Sequence, residues 1–152
     1  MGGDELTIRA LRLADCARLV TMDFQASGRK RPAWYDGKIQ RALSDTDVNI
    51  SLGAEMDGTL VGALLGSVHY GEFGQLEPVA VLDTILVDRA FARRGIATAL
   101  LDQLLLNLSG LRIERLRTEV AWSELELLGF FGRSGFTPVP RLVLERAVTV
   151  PD

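Results

Sequence analysis

Residues 79–101, VAVLDTILVDRAFARRGIATALL, limit what this chain can fold into more than any other stretch. Val79–Val87 is apolar except at Asp83 and Thr84, the composition of a strand covered on both faces. From Ile96 onward, Leu100, Leu101, Leu104, Leu105 and Leu108 trace one face of a helix, with Asp102, Gln103 and Asn107 opposite. Between them lies a turn holding Arg93, Arg94 and Gly95. A strand that enters a helix through a cationic, glycine-containing turn presents unpaired backbone N–H groups together with positive charge. Phosphate is the anion that such a turn suits.

The flanking sequence supplies layers for that strand and helix. LTIRAL reads as a strand and LADCARLVTMDF as a helix, followed by a polar loop, QASGRKRPAWYDG, and a short helix around KIQRALSD. NISLGAEM and TLVGALLGSVHY flank Asp57-Gly58, a two-residue turn signal for a hairpin. After the central helix, LRIERLRTEV predicts a fifth strand. Ser123 and Glu126 form a capping-box pattern ahead of SELELLGFFGRS, and FTPVPRLVLERAV closes the chain as one interrupted strand or two short ones. The expectation is a single α/β domain over 1–152, with about seven strands and four helices.

Composition narrows the function. A net charge of −3 argues against nucleic acid as the main partner, because binding phosphate backbones needs a broad basic surface. One cysteine, Cys16, excludes an internal disulfide, and with one histidine, His69, no metal-ligand spacing is present. MGGDEL carries neither an apolar leader nor a myristoylation serine or threonine, and no run is apolar for a membrane-spanning length. A soluble cytoplasmic protein, monomeric or homodimeric, is expected. Nucleotide-binding patterns of the G-x-x-x-x-G-K-[ST] or G-x-G-x-x-G type are absent.

The element order, together with LDTILVDRAFARRGIATALL, FFGRSGF and the opening TIRALRLADCARL, resembles the GNAT superfamily of acyl-CoA-dependent N-acyltransferases. The resemblance implies a mixed, mostly antiparallel sheet whose fourth and fifth strands splay apart. It implies acetyl-CoA as co-substrate, an amine acceptor, direct attack in a ternary complex, and no metal. Cofactor contacts are implied at Ile85, Leu86, Val87, Arg93, Arg94, Gly95, Ile96, Ala97, Thr98 and Phe131. Three positions depart from the family pattern: Ala92 stands where Gln or Arg is usual, Phe131 where a tyrosine is usual, and Glu124 where an asparagine is common. A non-catalytic acyl-CoA-binding regulator is the rival that the departures at Ala92 and Phe131 suggest.

Acylation of an amine by a thioester needs a group that takes the amine's proton and donors that stabilise the oxyanion. A backbone N–H of Leu86 or Val87 suits the second task. Two carboxylates are candidates for the first. Asp83 is an acid inside an apolar strand, and it is either functional or a structural carboxylate bonded to backbone or arginine. Glu119, in TEV, resembles the glutamate of the EVR segment of ribosomal-protein N-terminal acetyltransferases, with Ala121 in place of the arginine. His69 reads as a surface or hydrogen-bonded residue, and Cys16 as core. Trp34, Tyr35 and Trp122 suit either an acceptor pocket or the core, and Glu72 and Glu77 suit attraction of a cationic amine. With a thiolate leaving group, a dedicated acid is dispensable or replaced by water or the Tyr70 hydroxyl.

Overall fold

The computed structural model describes residues 5–44 and 50–151. Met1–Asp4, from the amino-terminal motif, lie outside the described residues, as do Asp45 and Asn49 at the ends of two expected elements. The chain divides into two compact units, Met1–Glu119 and Val120–Asp152.

The first unit is one five-stranded sheet in the order β1-β2-β3-β4-β5. It comprises β1 (Leu6–Ala10), β2 (Leu52–Met56), β3 (Thr59–His69), β4 (Val79–Val87) and β5 (Leu116–Thr118). The first three pairings are antiparallel and β4–β5 is parallel. Asp57 and Gly58, both at positive φ (53° and 76°), make the two-residue turn between β2 and β3 that their sequence signals.

Helices cover both faces. On one, α1 (Cys16–Ser27) and α2 (Pro32–Ser44) bury Leu19, Met22, Tyr35 and Ile39 against Leu60, Ala63, Leu65 and Leu86 of the sheet. Here α2 begins earlier than expected and consumes half of the expected loop: proline suits a first helical position, and Tyr35 and Ile39 share the buried face. On the other face α3 (Ile96–Gly110) buries Ile96, Leu100, Leu101, Leu104 and Leu108. The helix lies so close that a Cβ on Gly62 would meet Ile96 at 2.7 Å. Three ion pairs lock the elements together: Arg9–Asp15, Arg31–Asp23 and Arg18–Asp88.

The second unit contains α4 (Leu125–Arg133) and an irregular segment. The expected capping box is not formed: the helix starts one residue later, with Glu124 as N-cap and no side-chain cap bond, because Glu124 N–H closes a turn onto the Ala121 carbonyl. Phe131 is buried, its ring 5.5 Å from that of Phe130 and 4.9 Å from that of Phe136. The expected strands after Phe136 are absent among the described residues, so the sheet has five strands rather than seven. Pro138 and Pro140 each remove a ladder donor and fix φ, which breaks the β pattern of the apolar residues that follow.

Candidate active site

Two places in the first unit gather the residues that carry chemistry. The first is the turn from β4 to α3. Asp88 closes β4 by donating its N–H to Val61 O at 2.8 Å, and its carboxylate then accepts from Ala90 N–H at 2.9 Å. Arg18 reaches the same carboxylate at 2.5 Å while also donating to Leu60 O. Burial alone would raise the Asp88 carboxyl, but the Arg18 guanidinium and the Ala90 N–H outweigh it and hold it below the usual carboxylate range. Gln25 of α1 grips the next residue, its amide oxygen accepting from Arg89 N–H at 3.0 Å and its carbonyl from the Arg89 guanidinium.

Above this anchored base the backbone is bent. Arg93 (φ 64°) and Gly95 (φ 76°) both take the left-handed conformation, which is unusual for arginine and typical of ligand-holding loops. Gly95 is the N-cap of α3 and, having no side chain, caps nothing, so the first helical N–H groups, at Ile96, Ala97 and Thr98, meet no side-chain acceptor. Arg93 and Arg94 are exposed beside them, Arg94 stacked over the Phe91 ring at 5.2 Å. A row of unshielded N–H donors at a helix start with two exposed guanidinium groups fits a pyrophosphate.

The second place is a cleft of about 500 Å³ at the junction of β3, β4 and β5. Val79 and Val81 floor it, His69 stands at one wall, Arg117 and Glu119 at another, and Glu72, Phe73 and Glu77 at the rim. Both candidate bases line it. Asp83 is engaged: its Oδ1 lies 2.7 Å from Lys38 Nζ of α2 and accepts from the Thr84 hydroxyl at 2.7 Å. Glu119 is exposed, at the end of β5, and takes part in none of the hydrogen bonds or ion pairs of the described residues.

Between these places the sheet opens. β5 pairs with β4 only over Ala80–Leu82, and the Thr118 hydroxyl ends the ladder on Leu82 O at 2.8 Å. Beyond it Thr84–Val87 pair with β3 alone, so Ile85, Leu86 and Val87 present one backbone edge without a strand partner among the described residues.

Other candidates fall elsewhere. Tyr35 is core, burial and the Asp23 carboxylate beside it pushing its phenol far up, whereas Trp34 is half-exposed under Arg31 and Lys38. Cys16 packs against the α1–α2 core, and burial raises its thiol. Trp122 is exposed in the second unit, to which Phe131 also belongs. The sequence reading missed Lys38, Ser67 and Arg117, and of these only Ser67, two residues before His69 on one strand face, carried a readable signal.

Residues 13–136 match the model of the acetyltransferase (GNAT) family. The chain belongs to that family, and its enzyme class is that of an N-acetyltransferase. No curated protein matches it in sequence. Its fold is similar to that of an aminoglycoside N-acetyltransferase solved in complex with CoA (TM-score 0.79, 18% identity, covering 95% of this chain and 96% of that one). It is also similar to an aminoglycoside 6′-N-acetyltransferase from Acinetobacter baumannii (TM-score 0.79, 17% identity, 96% and 100% covered). A ribosomal-protein-alanine N-acetyltransferase from Brucella melitensis biovar Abortus 2308 shares the fold as well (TM-score 0.76, 20% identity, 94% and 100% covered). Among the described residues no helix is long and apolar enough to cross a membrane, and no cluster of His, Cys, Asp or Glu could hold a metal ion.

Proposed function

We propose that the chain, acting as one domain, transfers the acetyl group of acetyl-CoA to a primary amine by direct attack in a ternary complex. The observation that carries this reading is the end of the β4–β5 ladder at Leu82 and Thr118. It leaves an unpaired strand edge leading from the anion-ready turn toward a cleft that holds a free carboxylate. Acetyl-CoA supplies an activated acyl carbon and a good leaving group. The chain supplies the rest: Ile96, Ala97 and Thr98 N–H groups with Arg93 and Arg94 hold pyrophosphate, the Ile85–Val87 edge pairs with the extended arm, and Leu86 or Val87 N–H faces the oxyanion.

Glu119 is the base in this reading. Lys38 and Thr84 already occupy Oδ1 of Asp83, so Asp83 shapes the cleft rather than taking the proton. Glu72, Glu77, Asp83 and Glu119 outnumber Arg117 around the cleft, which favours an acceptor that carries further positive charge beyond the reacting amine. Such attraction weakens as salt rises.

The test is thiol release from acetyl-CoA with spermidine, kanamycin, a lysine peptide, an alanine-terminated peptide and neutral benzylamine. Release with the polycationic amines, faster than with benzylamine at low salt, is the expected result. Stabilisation by acetyl-CoA without thiol release from any amine would instead identify an acyl-CoA-binding regulator. Equal stabilisation by ATP would remove the cofactor assignment.

A further inference from the structure

We infer that Ser67, His69 and Glu72 form a proton relay running from the hollow that adjoins the cleft to the cleft's rim, carrying the amine's proton from the reaction to solvent. This rests on the acetyl-transfer reading, adds Ser67 and His69 to it, and gives Glu72 a second role. Ser67 Oγ lies 2.9 Å from His69 Nε2, and His69 Nδ1 lies 3.0 Å from Glu72 Oε1. The direction of these bonds follows from chemistry. An ionised carboxylate only accepts, so Nδ1 carries the imidazole hydrogen, Nε2 offers its lone pair, and the Ser67 hydroxyl donates to it. Ser67 keeps lone pairs that can accept a hydrogen from an amine or a cleft water.

Four further observations support a built relay. Ser67 and His69 alternate on one face of β3, opposite Val81 and Val79, so the strand's period of two aims both side chains the same way. The loop that returns Glu72 to the ring is bent at Gly71 (φ 71°), Phe73 (φ 53°) and Gly74 (φ 72°), and Phe73 takes a left-handed conformation that is strained for an aromatic residue. Exposure also rises along the string: Ser67 is half-buried, the His69 side chain is 36% exposed and that of Glu72 55%. The two hollows lined by Ser67 and by His69 share Asp83 as a wall.

The step balances as follows. The amine nitrogen bonds to the acyl carbon, the C–S bond breaks, and the sulfur leaves as a thiolate with the bonding pair. The nitrogen's surplus proton, taken first by Glu119, passes through water to Ser67 Oγ as the hydroxyl's own proton passes to His69 Nε2. The resulting imidazolium is stabilised by the Glu72 carboxylate and releases its proton to water. Glu119 is thereby returned to its carboxylate form, and Glu77, Asp83 and Arg117 are the other charged groups around the cleft that His69 lines.

His69 is the sole histidine, so its imidazole nitrogens give unambiguous NMR signals. The full chain, labelled with ¹⁵N, is expected to show the neutral ring as the Nδ1–H tautomer, and Ser67→Ala or Glu72→Gln is expected to shift it toward Nε2–H. In parallel, His69→Ala is expected to slow thiol release with spermidine or kanamycin by about 10²-fold, with partial rescue by added imidazole. Ser67→Ala is expected to do the same without imidazole rescue. A neutral Nε2–H ring in the wild-type protein, or full activity in His69→Ala, would overturn the relay and leave acetyl transfer standing. Absence of thiol release with every amine would overturn both.

Discussion

The β4–α3 turn and the acid-lined cleft lie along one strand, yet they are built by opposite means. The turn works through its backbone. Its N–H groups come from consecutive residues, Ile96 to Thr98, and side chains from α1, Arg18 and Gln25, only brace it from below. The cleft works through side chains delivered by four separate places: His69 from β3, Glu72 and Glu77 from the following loop, Asp83 from β4, and Arg117 and Glu119 from β5 and its end. A backbone site tolerates most side-chain changes but not a change of φ or of charge at its mouth. A side-chain site is sensitive residue by residue, and so it is where substrate choice can vary without altering the fold.

The strongest way to break this contrast is Gly95→Asp. It places a side chain at φ 76° and a negative charge at the helix start. Saturating acetyl-CoA at about 100 times Kd should stabilise the wild-type protein by about 2.7 kcal/mol. In the folded variant the corresponding rise in Tm should vanish, and a retained rise would mean that the turn is not the cofactor site.

Next in size is Glu119→Gln, expected to lower turnover by about 10²–10⁴ with cofactor affinity nearly intact. Asp83→Asn should lower it less, because Lys38 already holds that carboxylate. Steady-state kinetics on both variants checks the order, and the reverse order would make Asp83 the base. Asp88→Asn tests the bracing of the turn: it should remove about 1–3 kcal/mol by unpairing Arg18, and loosen acetyl-CoA binding as well.

The Asp88→Asn variant has a pH signature. Asp15, Asp23 and Asp88 are all held below the usual carboxylate range. Their contribution to stability is complete above an unfolded-state value of about 3.9 and is lost as pH falls through the lowered folded values. Thermal unfolding between pH 5 and 2, at steps of about 0.5, should therefore show a shallower acid decline in Asp88→Asn than in the wild type. The smallest effect is expected from Phe131→Tyr. The ring packs between Phe130 and Phe136, and the rate should change less than tenfold, under about 1.4 kcal/mol of barrier. A large gain in activity would show that the chemistry lacks an acid.

The same contrast explains what could be read from the sequence. VAVLDTILV and the helix after Gly95 were legible because strand, turn and helix are contiguous, and each obeys a local rule of period or backbone freedom. The hairpin at Asp57-Gly58 was legible for the same reason. Asp83 and Glu119 could be nominated, but not that Lys38, 45 positions earlier in the chain, would occupy the first and leave the second open. The pairing depends on how α2 packs across the sheet, which no spacing encodes. The closing strands were misread because alternating apolar residues after Phe136 spoke for β structure, and Pro138 and Pro140 prevailed over them.

One residue on β4 sets the phase of the whole face. Leu65 pairs with Thr84 and Gly66 with Leu82, so Asp83 is a supernumerary residue that β3 does not match. Because strand side chains alternate, this single extra residue inverts odd and even along β4. Val79 and Val81 face the same side as Thr84 and Leu86, matching Ser67, His69, Leu65 and Ala63 across the ladder. Any side chain can be exchanged at position 83 and leave this alternation intact. Deleting the residue cannot: it would turn either the cleft floor or the core half of β4 inside out. The position is thus constrained in length before it is constrained in chemistry, and a carboxylate placed there keeps its address through a great deal of surrounding change.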